Sequence, residues 1–481
     1  MKSIVKESLI SFKELEKNIF SYVCELACEM TRVILESYDQ ELMETRDKTR
    51  YRNKGLRATS IKTVYGEVEY SRRVYQTTLD DGRKAFVFLL DEAMDMEKIG
   101  MISSNLGSKI AMTITETPYR GTAETVSTIC GQSISHTGVW NYVQKLGERI
   151  REEEEAEVRR MNAGQSRGKE IIPVLFEEMD GVWLKMQGPD HKKVPKQEMK
   201  VFTMYEGWDE EMEKAGRSTL KGRAMMAGMD GSTAFHEKRE AFIRSIYDAD
   251  EIQQRILNGD GGSWIREPYD PDAIIQLDRF HIYKEIRRLI KDEEAQGAIR
   301  SLFEEERIGE MLSYIKGYAD SSESDEKTDE KARESKNARK LYQYLKNNEE
   351  GLLPYHKRGI VIPEPQEGTI HKEMGVQENL NCTLITQRMK HRRMRWGTGA
   401  DNLAKVLYRK ENRELISTID RYSDGLIIKA DLKEIAESLS AAKAPKKDGK
   451  GDRYPEIIKG HMPLLEAMQT VSRRAFTRAF M

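Results

Sequence analysis

The sequence predicts an α/β core with a helical insertion, preceded by a mainly helical N-terminal region that contains a β-hairpin. Three observations lead there. From Ile171 to Arg288, short apolar runs alternate with stretches of helical period, giving three strands, a helix, a strand, a short helical piece, a strand and a helix. Residues 292–368 then become charged and helical before apolar periodicity resumes in 369–410. The 481 residues also exceed what one ordinary core holds. The succession of elements in 169–291 is the order expected of a ribonuclease-H-like α/β domain.

In chain order, residues 1–57 are dominated by a helix over about 8–45. Its apolar positions Ile10, Phe12, Leu15, Ile19, Phe20, Val23, Leu26, Ala27 and Met30 recur at helical spacing, which suits packing or dimerisation. Region 58–100 opens with Ala58 to Gln76, rich in Val, Tyr, Thr and Ile and alternating on both sides of Tyr65-Gly66, a β-hairpin with a basic flank. Region 101–168 returns to the helical period, and Thr117 to Ile150 has the pattern of a helix-turn-helix. A first helix covers Ala123 to Ile129, Gly131 supplies the turn, and Ser133 or Ser135 caps a second helix through Val139, Val143 and Leu146. That second helix offers His136, Asn141 and Lys145 to a DNA groove, or only to solvent, since helical hairpins with a Gly turn are common packing units.

Within 169–291, Ile171 to Gln187 reads as two strands around a turn at Asp180-Gly181, Glu198 to Trp208 as a third strand, and Arg223 to Ser232 as an apolar run extending the sheet. A helix over about 234–248, a strand ending at Asp260, a strand from Ala273 to Asp278 and a helix from Arg279 to Ile290 complete it. The middle of the insertion, Tyr318 to Lys336, has almost no apolar residues and reads as a solvated loop or disordered segment. Residues 411–481 read as a basic tail around a final short helix.

Composition excludes several classes. Hydrophobic residues make up 38% and charged residues 33%, and no apolar run approaches the length of a bilayer span. Lys2, Lys6, Glu7, Lys13, Glu14 and Glu16 break the first thirty residues, against a secretory leader, so the reading is a cytoplasmic protein. Cys24, Cys28, Cys130 and Cys382 lack a second pair at zinc spacing and read as reduced thiols. A net charge of −2 denies any whole-protein attraction to nucleic acid. Local clusters must carry it instead, above all Arg388, Lys390, Arg392, Arg393 and Arg395 in RMKHRRMR.

Acids at strand ends mark the candidate site. Asp180 and Asp260 each close an apolar run, and neighbouring parallel strands set their ends side by side, at the edge where α/β folds gather ligands. Two carboxylates there repel one another unless a cation lies between them. Phosphodiester chemistry with two Mg²⁺ ions, typically about 3.5–4 Å apart, uses such oxygen ligands, and Mn²⁺ can substitute. A third acid should come from a helix beside the sheet. Glu378 opens the stretch that carries the basic block, and Glu373, five residues upstream, meets the same spacing. The basic block following Glu378 is placed to clamp DNA phosphates. Lys185 is a weaker phosphate candidate; His281 reads as a capping or packing residue rather than one that touches DNA or the metal shell, and Trp264 as core rather than an aromatic that stacks on an unpaired base.

The runs NGDGGSWI (258–265), LDRFHIYKEI (277–286), GVQENL (375–380) and RMKHRRMRWGTGADNLA (388–404), with KTVYGEVEYSRRVY (62–75) and FLLDEA (88–93), together resemble the signature series of ISLre-type insertion-sequence transposases, distant relatives of Mutator-like elements. They cover most of the chain in the same order. Trp396-Gly397 stands where that family has Trp-Ser, and Val376-Gln377 where a small residue usually precedes the third acid. The resemblance implies a DDE transposase whose ribonuclease-H-like core is interrupted by a helical insertion between its last strand and last helix. It carries the triad onto Asp180 in EEMDG, Asp260 in NGDGG and Glu378 in VQENL. It further implies Mg²⁺ as cofactor, double-stranded DNA (element ends and target) as partner, a homo-oligomer to hold two ends, and a place at the bacterial nucleoid. Two other functions fit the same residues: a ribonuclease-H-like nuclease or junction resolvase, and a DNA-binding derivative without catalysis.

Overall fold

The computed structural model describes residues 11–94, 101–189, 192, 194–265, 273–324, 329–391, 394–422 and 431–443. The chain divides into two units, Met1–Ile428 and Lys429–Met481.

The first unit begins with helix α1 (Phe12–Thr45), which starts where Ser11 and Glu14 satisfy each other's backbone amides in a capping box. It packs on an antiparallel sheet of β1 (Arg52–Thr63), β2 (Gly66–Thr78) and β3 (Lys84–Val87), followed by α2 (Leu89–Ala93). Leu35, Ile61, Val68, Tyr70 and Leu90 form the shared core. The hairpin starts earlier than its alternation suggested, because the first seven residues of β1 are all exposed and leave no apolar rhythm to read. Next come α3 (Ser104–Ile114), α4 (Tyr119–Ile129) and α5 (His136–Asn162), where Ser135 is the cap and accepts the Gly138 N–H.

The central sheet has the order β10-β9-β4-β5-β8, built from β4 (Val174–Leu184), β5 (Gln197–Tyr205), β8 (Ala224–Gly228), β9 (Gln254–Gly259) and β10 (Ile274–Leu277). Strands β4, β9 and β10 are parallel, while β5 runs antiparallel to both of its neighbours. A small sheet of β6 (Gly207–Asp209), β7 (Leu220–Lys221) and β11 (Thr369–Ile370) and the short helix α6 (Glu210–Lys214) flank it. The expected turn at Asp180-Gly181 does not exist: β4 is one strand, paired with β5 from Phe176 to Leu184. Gly181 pairs with Lys200 in that ladder, with the Glu198 side chain beside it.

One face of the sheet, through Leu175, Met179 and Leu257, packs on α5, α7 (Ser232–Ile246) and α14 (Ala400–Glu411). The other, through Val174, Phe176, Ile256 and Ile274, packs on Tyr355 and Met374, so the chain returning after the insertion crosses this face. After α8 (Arg279–Leu289) the insertion holds α9 (Glu293–Glu304), α10 (Ile308–Ser324) and α11 (Asp329–Asn347). Much of the stretch read as a solvated loop is therefore helical, with 325–328 outside the described residues. Flanking residues hold it, since Met311 and Ile315, with Ala319, share one small core with Ala338, Leu341 and Leu345. After the insertion α12 (Gln377–Asn381) continues through a π-helical turn, Cys382–Thr386, into α13 (Gln387–Met389). The expected tail is also corrected at its start: α15 (Leu415–Arg421) buries Leu415 and Ile419 in the main core. In the second unit α16 (Leu432–Lys443) begins where Asp431 accepts the N–H of Lys433 and Glu434. Among the described residues no helix is long and apolar enough to cross a membrane.

Charge is buried with its partners between the sheet and α7. Arg255 lies between Glu177, at 2.6 Å, and Glu240, at 2.8 Å. Arg255→Met should leave two buried carboxylates short of a cation and cost roughly 3–5 kcal/mol, read as a lower thermal midpoint. An unchanged midpoint would contradict this view of the core.

Candidate metal centre

The parallel register aligns Met179, Gly259 and Leu277 on three adjacent strands. The next residues are Asp180, Asp260 and Asp278, so three carboxylates stand in a row, with strands spaced at roughly 4.8 Å. Asp180 is buried and held at both oxygens: Oδ1 accepts the Gly181 N–H at 2.7 Å, and Oδ2 accepts the Asn381 amide at 2.6 Å. Asp260 Oδ1 accepts the Gly262 N–H at 2.7 Å. Its carbonyl accepts the Tyr344 hydroxyl at 2.9 Å, which ties the insertion to the site. Gly261 turns with φ +75°, where a Cβ would also strike Asn348 and Leu277.

Helix α12 brings Glu378 from the far side of the insertion. Asp180, His281 and Glu378 each present a ligand atom within 4.8 Å of the others. Glu373 is exposed, stands outside that group, and lies near Tyr355, whose hydroxyl its charge helps to push up. Of the two roles open to His281, capping is taken by Asp278, which accepts the Phe280 N–H at 2.8 Å. His281 instead sits in the first turn of α8 with Nε2 3.7 Å from Asp180 Oδ1. Trp264 packs edge-on against Phe235 with ring centres 5.9 Å apart, beside the main core.

The electrostatics of the row are those of acids short of a cation. Burial raises the Asp260 carboxyl above the usual range, and the Asp180 charge adds to it against the Gly262 N–H and His281. Burial and then the charge of Glu178 push Asp278 up to about 6. Glu198 is likewise raised, by burial and then by Asp260 and Asp180 against Lys200. Burial opposes a charge on His281, but Asp180, Asp278 and Asp260 outweigh it and raise its pKa. Carboxylate oxygens with one imidazole fit a hard divalent cation such as Mg²⁺, and the nitrogen suits Mn²⁺ as well. Asp180, His281 and Glu378 could hold it; Asp260, at the matching position on the neighbouring strand, stands outside that group, and Asp278 adjoins it.

The basic candidates are placed unequally. Arg388 is buried, 6% exposed, and its Nε donates to the Ile114 carbonyl at 2.7 Å, so it closes the end of α3 and is not presented to a phosphate. This corrects its reading as a DNA contact. Lys390 and Arg395 are exposed, while Arg392 and Arg393 lie outside the described residues. His136, Asn141 and Lys145 are exposed on α5, and Lys185 is exposed just after β4.

A sequence model of an uncharacterised protein family, UPF0236, matches residues 5–412. A UPF0236 protein of Caldanaerobacter subterraneus subsp. tengcongensis, carried under eleven locus designations, is 26% identical over 75% of this chain and 72% of its own length. Another from that organism, under four designations, is 25% identical over 71% of this chain and 66% of its own. A UPF0236 protein in the vanSb 3' region of Streptococcus gallolyticus is 22% identical over 83% of both chains.

Asp278 gives a pH test. Its ordinary value is 3.8 and its value in the fold about 6, so the folded chain holds that proton more tightly than the unfolded one. The resulting stabilisation is complete below the ordinary value and is lost as pH rises through the folded one. Asp278→Asn keeps the cap and removes the titration. The variant's thermal midpoint, in chelator, should gain on that of the unaltered chain between about pH 4 and about pH 7. A difference that does not change with pH would reject the assignment.

Proposed function

The chain belongs to the uncharacterised protein family UPF0236, and from the geometry of its acids we propose that it is a DNA transposase of the insertion-sequence type, cleaving and joining DNA at Asp180, Asp260 and Glu378. The observation that carries this reading is the placement of Asp180 and Asp260 at matching positions on adjacent parallel strands, with Glu378 delivered to Asp180 from a helix beyond a long insertion. The sheet order, with β5 antiparallel beside a parallel set, supports a ribonuclease-H-like core. Helices α8 to α11 stand between its last strand and α12, where the resemblance to ISLre-type transposases calls for an insertion. A relative carried at eleven loci of one organism is what a sequence that copies itself between sites would leave.

Asp180, Asp260 and Glu378 would hold Mg²⁺ or Mn²⁺, which supplies neutralisation of charge at the attacking and leaving oxygens. The chain's own part is to hold the ligands. Gly181 and Asn381 fix the two oxygens of Asp180, and His281 Nε2 stands 3.7 Å from Asp180 Oδ1. Cleavage is an in-line displacement in which water attacks the phosphodiester at the element's end and the 3′ oxygen leaves and takes up a proton. Transfer is a second displacement: that 3′ hydroxyl loses its proton, attacks a target phosphodiester and expels a 3′ oxygen, so one bond forms for each one broken. No covalent protein intermediate is required, and no Ser or Tyr nucleophile.

DNA would be drawn by the exposed cations Lys390 and Arg395 and by His136, Asn141 and Lys145 along α5. Holding two element ends calls for more than one copy of the chain. The exposed residues Phe12, Leu15, Ile19 and Tyr22 recur on α1 at the three-four spacing that suits a second helix. This reading places the protein at the bacterial nucleoid.

The test uses duplexes reproducing the DNA that flanks the chain's own coding sequence, with Mg²⁺ or Mn²⁺. The unaltered chain should nick the element end and join it to a target. Asp180→Asn and Asp260→Asn should each lower cleavage by more than about 100-fold, beyond the usual cost of an outer-shell change, while retaining DNA binding. Cleavage that survives in both variants would reject the site, and nicking without joining would favour a nuclease.

A further inference from the structure

We propose that Glu178 is the positioning residue that brings Glu378 to the site, by gathering the backbone at the start of α12 onto its buried carboxylate. The inference rests on the reading of the acid row as a cation site and names the part that assembles it.

Glu178 lies two residues before Asp180 on the same face of β4 and is fully buried. Its Oε1 accepts the N–H of Gly375 at 3.0 Å, the N–H of Val376 at 3.2 Å and the Tyr205 hydroxyl at 2.7 Å. Its Oε2 accepts the N–H of Gln377 at 3.0 Å and the Asn258 amide at 3.2 Å. Both oxygens are therefore committed to donors. It is not a further ligand. Three consecutive N–H groups can converge on one carboxylate because Gly375 adopts φ +125°, a conformation that other residues rarely reach.

Glu378 follows directly. It is bracketed by Gln377, whose N–H is held by Glu178, and by Asn381, whose amide donates to Asp180. Gln377 also donates to Asn381 at 2.8 Å, joining the two attachments. Glu178 is itself backed by its own row. The register aligns it with Asn258 and Gln276, Gln276 donates to Asn258 at 3.4 Å, and Gln276 accepts the Tyr355 N–H at 2.9 Å. One row of polar groups thus fastens the returning chain, and the next row, two residues on, is the acid row.

The test measures Mn²⁺ affinity by electron paramagnetic resonance on the full chain, for Glu178→Gln, Glu378→Gln and the double variant. Hydrogen exchange at residues 375–377 is followed alongside. Glu178→Gln should speed exchange at those amides and weaken Mn²⁺ by roughly 10–100-fold, the range of an outer-shell partner. In the Glu378→Gln background the same change should weaken it no further, because Glu178 acts through Glu378. Independent, multiplying losses would overturn the proposal, as would faster exchange with unchanged Mn²⁺ affinity. Failure of the unaltered chain to bind Mn²⁺ would overturn the cation site itself, and the role of Glu178 with it. If Glu178→Gln does not fold, Gly375→Ala, which strains the same turn and leaves the buried carboxylate in place, must show the same coupling to Glu378.

Discussion

Carboxylates set side by side at a sheet edge repel one another, and removing them from water adds to the cost of their charge. The register of β4, β9 and β10 imposes that arrangement, because it aligns the residues just before Asp180, Asp260 and Asp278. The raised acids Asp260, Asp278 and Glu198 express the strain electrostatically. A fold that keeps such a row has to supply donors, a cation or both. Asn381 and the Gly181 and Gly262 amides are the donors in place, with His281 beside Asp180.

The surrounding architecture follows from the need to hold this row. The insertion reaches back through Tyr344 to the Asp260 carbonyl, and the chain after it crosses the face that carries the acids. The buried Glu178 captures the backbone where that crossing ends, and the helix bearing Glu378 starts there. The π-helical turn that follows is a feature often retained where a helix must present a side chain to a site. Packing on the opposite face, with its own enclosed ion pairs, gives the sheet a rigid back.

Part of this was legible in the sequence. Asp180 and Asp260 stand out because each follows an apolar run, and the strands and helices from Glu198 to Ile290 fall close to where periodicity puts them. The Asp-Gly pair at 180 misled, because the dipeptide that marks a turn also occurs inside a paired strand, here between Phe176 and Leu184. Asp278 passed unnoticed because a capping Asp looks the same whether or not it also faces a site. The pattern that could have found it is the repeated polar residue, any residue, then Asp, in EMD, NGD and QLD at the ends of three strands. Arg388 misled for a related reason: a basic block read as one exposed face, while the chain turns one of its members inward to the Ile114 carbonyl. The contacts of Glu178 with residues 375–377 are set by tertiary return of the chain, which no local spacing encodes.

The central claim is that these acids close around a divalent cation. Anomalous X-ray scattering from crystals of the full chain grown with Mn²⁺ tests it most directly. A manganese peak bounded by the carboxylates of Asp180, Asp260 and Glu378 is the expected result. Manganese seated only at other acids, with this cluster closed on its own hydrogen bonds at saturating metal, would contradict it.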